Sequence, residues 1–171
     1  MEQEKRGFAQ AAMHYGTLLG ILWIISFAVY VASLSIPELS LLFLILFIIS
    51  PIYAGFLGIR YRKHECENKL SFLNSWAFMI ITYLCASMLS AIACYIYFYY
   101  LDNGAIISAF KEQIDIYLAM DMGEDVKQAM NNTYEILSQL TASDITIQYF
   151  TSNVFIASLL APITSLFVFK K

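Results

Sequence analysis

Four long stretches of this chain carry no Asp, Glu, Lys or Arg: residues 7–37, 39–59, 70–101 and 145–169. Each is at least as long as the roughly 20 apolar residues that a helix, rising about 1.5 Å per residue, needs to cross the ~30 Å hydrocarbon core of a bilayer. Only 13% of the chain is charged, about half the share usual in a soluble domain. The deficit is concentrated in those four runs. The pattern predicts an all-α integral membrane protein. It has four spans, at about 8–34, 39–59, 71–100 and 145–169, forming a four-helix bundle. The first run is too long for a signal h-region and ends in Ser35-Ile36-Pro37-Glu38 rather than a small-residue cleavage site, so it reads as a retained span.

Orientation follows from the stretch Arg60-Tyr61-Arg62-Lys63-His64-Glu65-Cys66-Glu67-Asn68-Lys69, which separates the second and third runs. With four spans this loop and both termini share one side. Lys5, Arg6, Arg60, Arg62, Lys63, Lys69, Lys170 and Lys171 lie there, eight of the ten basic residues, against Lys111 and Lys127 opposite. Lys and Arg favour cytoplasmic loops. Both termini and the basic loop Arg60, Arg62, Lys63, Lys69 are therefore predicted to be cytoplasmic, in a bacterial inner membrane. Anionic lipid is attracted to such a cluster at about 1 kcal/mol per basic residue.

Small residues recur one turn apart within the spans. Gly16 and Gly20 make a GxxxG step, extended backwards by Ala12. Ala54 and Gly58 follow Ser50-Pro51 in the second span. In the third, Ala86, Ser90, Ala93 and Cys94 share a face, and in the fourth Ser158, Ala161 and Ser165 do, beside Pro162. Small faces let helix backbones approach closely in lipid. Gly16, Gly20, Ala54, Gly58, Ala86 and Ser90 are thus helix-packing candidates, for contacts within the bundle or for a homodimer seam. Pro51 and Pro162 are expected to kink their helices.

Residues 102–144 are the one sizeable extramembrane segment, with eight acidic and two basic residues. Ile106, Ile107, Phe110, Ile114, Tyr117 and Leu118 keep helical spacing, as do Val126, Met130, Tyr134, Leu137 and Leu140, and Gly123 with Asp121 and Glu124 marks the break. The segment is predicted to be an amphipathic helical hairpin outside the membrane. Thr141 or Ser143 can cap the last span. Trp76 and the tyrosines 95, 97, 99 and 100 suit the two interfaces.

Chemistry-bearing residues are sparse. His14 is the one ionisable side chain within the runs apart from tyrosines and cysteines, and it lies a turn or two from the cytoplasmic end, within reach of headgroups. His64-Glu65-Cys66-Glu67 gathers metal-ligand types, but adjacent residues without a second His or Cys nearby do not make a tetrahedral site. Cys66, Cys85 and Cys94 give no disulfide framework. No catalytic, cofactor or metal residue is assigned, and nothing points to nucleic acid.

Several stretches together carry a resemblance: Tyr15-Gly16 through Gly20, Gly58-Ile59-Arg60-Tyr61-Arg62, Leu70-Ser71-Phe72 with Ala77-Phe78, and Ser165-Leu166-Phe167-Val168-Phe169-Lys170-Lys171. They resemble a family of small four-span bacterial membrane proteins, chiefly from Bacteroidetes, of unknown function. Members commonly have a glycine before the third span where Asn68-Lys69 stand here. The resemblance transfers no catalytic residue. It implies a gene neighbourhood of polyprenyl-phosphate-type membrane glycosyltransferases, and so a candidate partner. Membrane lipids, a second membrane protein or self-association are the expected contacts. The function read from these features is that of a non-catalytic subunit or scaffold of a cell-envelope complex, with an oligomeric transporter or conduit for a lipid or neutral solute as the alternative.

Overall fold

The computed structural model describes residues 7–102, 104–118 and 123–170. Lys5, Arg6, Lys171 and the break at Asp121 lie outside the described residues. Six helices follow in order: α1 Phe8–Ser33, α2 Leu39–Glu65, α3 Phe72–Tyr100, α4 Ala105–Leu118, α5 Glu124–Ser138 and α6 Ala142–Val168. Of these, α1, α2, α3 and α6 are long and apolar enough to cross a membrane.

The third span is the centre of the bundle. It packs along α1 on one side and α6 on the other, and α2 closes against α1 and α6. Ser71 opens α3, its hydroxyl accepting from the Asn74 N–H, and α3 is the most buried of the four spans. Thr141 opens α6 in a capping box: Thr141 Oγ1 accepts from the Asp144 N–H at 3.3 Å while the Asp144 carboxylate accepts from the Thr141 N–H at 2.9 Å.

The end of the second span departs from the sequence reading. The second span continues through Arg60, Arg62 and Lys63 to Glu65, so these residues ride on the last turns of α2 rather than in a loop. Their positive charge suits a helix C-terminus, where carbonyls lack partners. The turn into α3 is correspondingly tight. Glu67 and Asn68 take left-handed φ values of 50° and 62°, and the Asn68 N–H returns to the Arg62 carbonyl at 3.0 Å. Asparagine tolerates that conformation.

Between α3 and α6, helices α4 and α5 pack against each other. Ile114 of α4 is buried, and the Lys111 ammonium lies 5.3 Å from the Tyr134 ring centroid. Asp102 starts α4, its carboxylate accepting from the N–H groups of Gly104 and Ile106 at 3.0 and 3.1 Å.

Candidate functional site

Burial along the spans divides the bundle in two. In α1 the buried residues are Ala11, Ala12, Tyr15, Gly16, Leu19 and Gly20. In α2 they begin at Ser50, and in α6 at Ala157. All of these fall in the half near Arg62 and the C-terminal end, termed proximal below. In the distal half, toward α4 and α5, the buried span residues, among them Ser87, Ser90, Ala91 and Cys94, belong to α3.

The proximal half is closed by small residues set against backbone. A Cβ placed on Gly16 would lie 2.6 Å from Cys85 Cβ and 2.8 Å from the Thr82 carbonyl oxygen. One on Gly20 would lie 2.9 Å from Leu89 Cδ1 and 3.3 Å from Ala86 Cα. The GxxxG step therefore faces α3 within the same chain. Gly58 faces Val168 and Met79, with Val168 Cγ2 2.5 Å from such a Cβ. Ala54, Ala86 and Ser90 are fully buried. The fourth-span face differs from expectation. Ser158 points outward, and the inward set is Ala157, Ala161, Thr164, Ser165 and Val168.

At the proximal end an aromatic knot joins three helices. Tyr61 stacks on Phe78 at 3.9 Å with the rings 4° from parallel, and Phe8 and Tyr15 meet both edge-on. Beside it Arg62 Nη1 donates to the carbonyls of Val168 at 2.6 Å and Phe169 at 3.3 Å, and Leu70 and Lys170 exchange backbone hydrogen bonds at 2.8 and 2.9 Å. Arg62 thus caps the C-terminus of α6, while Arg60, Lys63 and Lys69 are exposed. His14 is exposed on α1 and contacts the ring of its neighbour Tyr15. His64 also lies on α2, apart from the clamp.

The distal half holds the feature that sequence reasoning missed. Upstream of Pro51, where the α2 side chains are exposed, a cavity of about 680 Å³ opens between α1, α2 and α6. Three regular helical faces line it: Trp23, Phe27 and Tyr30 from α1, Phe43 and Phe47 from α2, and Tyr149, Asn153, Ile156 and Leu160 from α6. Its back is a run of ring contacts, Phe27 to Tyr97 at 5.7 Å and Phe27 to Tyr149 at 5.6 Å, and its rim is Tyr30 against Phe43 at 5.3 Å. Tyr30, Phe47, Ile48 and Ile156, which line it, are exposed, so the cleft is open to the surroundings of the bundle.

A few polar groups interrupt this apolar wall. Trp23 Nε1 donates to Ser50 Oγ at 2.5 Å. Asn153 Nδ2 is buried without a hydrogen-bond partner, although the Tyr149 hydroxyl lies beside the Asn153 and Ser90 side chains. The Tyr149 hydroxyl oxygen is a nearby acceptor for Asn153 Nδ2; because an unsatisfied buried donor costs about 1–3 kcal/mol, a better-placed acceptor in the cleft would be favoured. Among the described residues, no Asp, Glu, Lys or Arg lines the cleft. The signal in the sequence was the aromatic spacing 23, 27, 30 and 43, 47, one face of each helix, just ahead of Pro51.

A tightly packed proximal half, an open distal cleft and four membrane-length helices define a multi-pass helical membrane protein. Within that class the chain belongs to the family described as "Protein of unknown function (DUF4199)", which matches residues 14–170. No curated protein and no solved structure matches it.

Proposed function

We propose that this protein is a non-catalytic subunit or scaffold of a bacterial cell-envelope complex, seated in the inner membrane with both termini cytoplasmic. The observation that carries the reading is the closure of the proximal half. Leu19, Leu57, Phe78, Met79, Tyr83 and Val168 are fully buried there, so the distal cleft is blind and offers no route across a single bundle. The charged groups near the spans are occupied by architecture: Asp102 and Asp144 cap helix N-termini and Arg62 caps a C-terminus. That leaves the exposed apolar faces and the basic proximal surface as the means of interaction.

The first candidate partner is a membrane glycosyltransferase of the polyprenyl-phosphate type, the class implied by the family's gene neighbourhood. The alternative, an oligomeric conduit for a lipid or neutral solute, draws support from the cleft itself. Crosslinking in native membranes followed by affinity capture tests the proposal, with a single membrane partner recovered in stoichiometric amount as the expected result. Solute or lipid flux from the purified protein alone in liposomes would overturn it in favour of the conduit.

A further inference from the structure

The distal cleft has the properties of a ligand site, and its chemistry narrows the ligand. We propose that it binds a lipid-soluble carbonyl compound of the quinone class, a flat unsaturated ring bearing two acceptor oxygens on an apolar tail. The inference stands apart from the scaffold reading, since a partner neither requires nor forbids a bound lipid.

Size comes first. A volume of about 680 Å³ falls within the ~300–1,000 Å³ usual for small-molecule sites. Six aromatic rings, Trp23, Phe27, Tyr30, Phe43, Phe47 and Tyr149, line it. Such walls favour a flat ring that stacks or meets them edge-on.

Depth narrows the choice further. Trp23, Ser50 and Asn153 lie ten or eleven residues from the distal ends of their helices. At 1.5 Å per residue that is roughly 15–16 Å, about the middle of a ~30 Å core. Phospholipid ester carbonyls are tied to the edge of that core and do not reach this level. A phosphate headgroup is excluded as well, because no cationic side chain among the described residues lines the cleft. A quinone has its acceptors on a body that dissolves in the hydrocarbon region.

The hydrogen-bonding demand matches. Asn153 Nδ2, in the cleft wall, makes no direct hydrogen bond of good geometry and has the Tyr149 hydroxyl as its polar neighbour, and the terminal torsion of asparagine is soft enough to turn it from that neighbour toward a ligand. Trp23 Nε1 already donates to Ser50, which fixes the indole and leaves the Ser50 hydroxyl hydrogen as a second donor. Two acceptor oxygens would satisfy both. A long-chain alcohol has one oxygen and no flat ring, and meets neither demand.

Trp23 and Trp76 are the only two tryptophans, which gives a direct test. The full chain carrying Trp76→Phe is titrated in detergent micelles with a decyl-substituted benzoquinone while Trp23 emission is followed. Saturable quenching is expected. The Trp23→Phe protein, reporting through exposed Trp76, should show only the linear quenching of random collision. Decyl alcohol should not displace the quinone. Asn153→Leu should weaken binding by about three- to tenfold, the worth of one neutral hydrogen bond, and Ser26→Phe should abolish it by filling the cleft. Thermal unfolding midpoints no lower than wild type in both variants confirm that the fold is intact. Linear quenching of Trp23, displacement by decyl alcohol, or an unaltered affinity in a folded Asn153→Leu protein would each overturn the proposal.

Discussion

Replacing Gly16 by alanine isolates the contact that holds α1 to α3. The added Cβ would meet Cys85 Cβ at 2.6 Å and the Thr82 carbonyl oxygen at 2.8 Å, about 1 Å inside the 3.5–4.0 Å at which carbon contacts are attractive. Neither neighbour can rotate away, because one is backbone and the other a first side-chain carbon. The helices must separate, and overpacking of this kind costs about 1–3 kcal/mol. Alanine returns about 0.8–1 kcal/mol of helix propensity, leaving a net loss of about 1 kcal/mol at the middle of that range. At Gly20 the nearest atom is the flexible end of Leu89 at 2.9 Å, so the loss should be smaller. At Gly55 nothing lies within 4 Å of a Cβ, and alanine should stabilise by up to about 1 kcal/mol. Reversible unfolding by stepwise SDS addition to dodecylmaltoside micelles measures all three. The order Gly16 below Gly20 below wild type, with Gly55 above it, is expected. A Gly16→Ala protein as stable as wild type would refute the close-approach argument.

Three further outcomes follow from other parts of the molecule. Cysteines introduced at Ser108 and Ser138 should label from outside intact cells with an impermeant maleimide while Cys66 does not, and the reverse pattern would invert the orientation read from the eight-to-two basic asymmetry. Arg62→Gln removes a cation from the α6 C-terminus and its bonds to Val168 and Phe169, and should lower stability by about 1–2 kcal/mol; an unchanged SDS midpoint would show that the clamp carries no weight. Ile114→Asp sets a charge where α4 is buried, and should expose α4 and α5 to limited proteolysis while the four spans stay protected.

The sequence showed the architecture because lipid allows so few alternatives. A charge-free run of membrane length has to satisfy its own backbone, and a helix does that. The runs at 7–37, 39–59, 70–101 and 145–169 each contain or overlap the greater part of one long helix. Helix ends were less legible, because in α2 charge and helix do not stop together. The basic residues read as a loop continue the helix, since a membrane interface tolerates charge and the C-terminal dipole favours it. Small-residue spacing marked Gly16, Gly20 and Gly58 as close-approach positions but could not name the opposing helix, which depends on three-dimensional order. In α6 the same rule placed Ser158 inward, whereas Ala157 is the buried residue.

The cleft escaped notice for a physical reason. A cavity is made by what fails to pack, and periodicity reports only what does. Two halves of one helix behave differently on either side of Pro51: downstream, Ala54, Leu57, Gly58 and Tyr61 are buried, whereas upstream Leu41, Leu42, Leu44, Ile45 and Phe47 are exposed. Proline removes the N–H that the Phe47 carbonyl would otherwise receive, so the backbone is weakest where the packing changes. Were that proline merely tolerated, Pro51→Ala would leave the cleft unchanged. If it holds the cleft open, Pro51→Ala should straighten the helix and bring Phe43 and Phe47 toward Tyr149. The cleft would then narrow, Trp23 emission would shift to the blue, and the protein would become more stable. A red shift, or no shift, would assign the opening to the bulk of the aromatic residues instead.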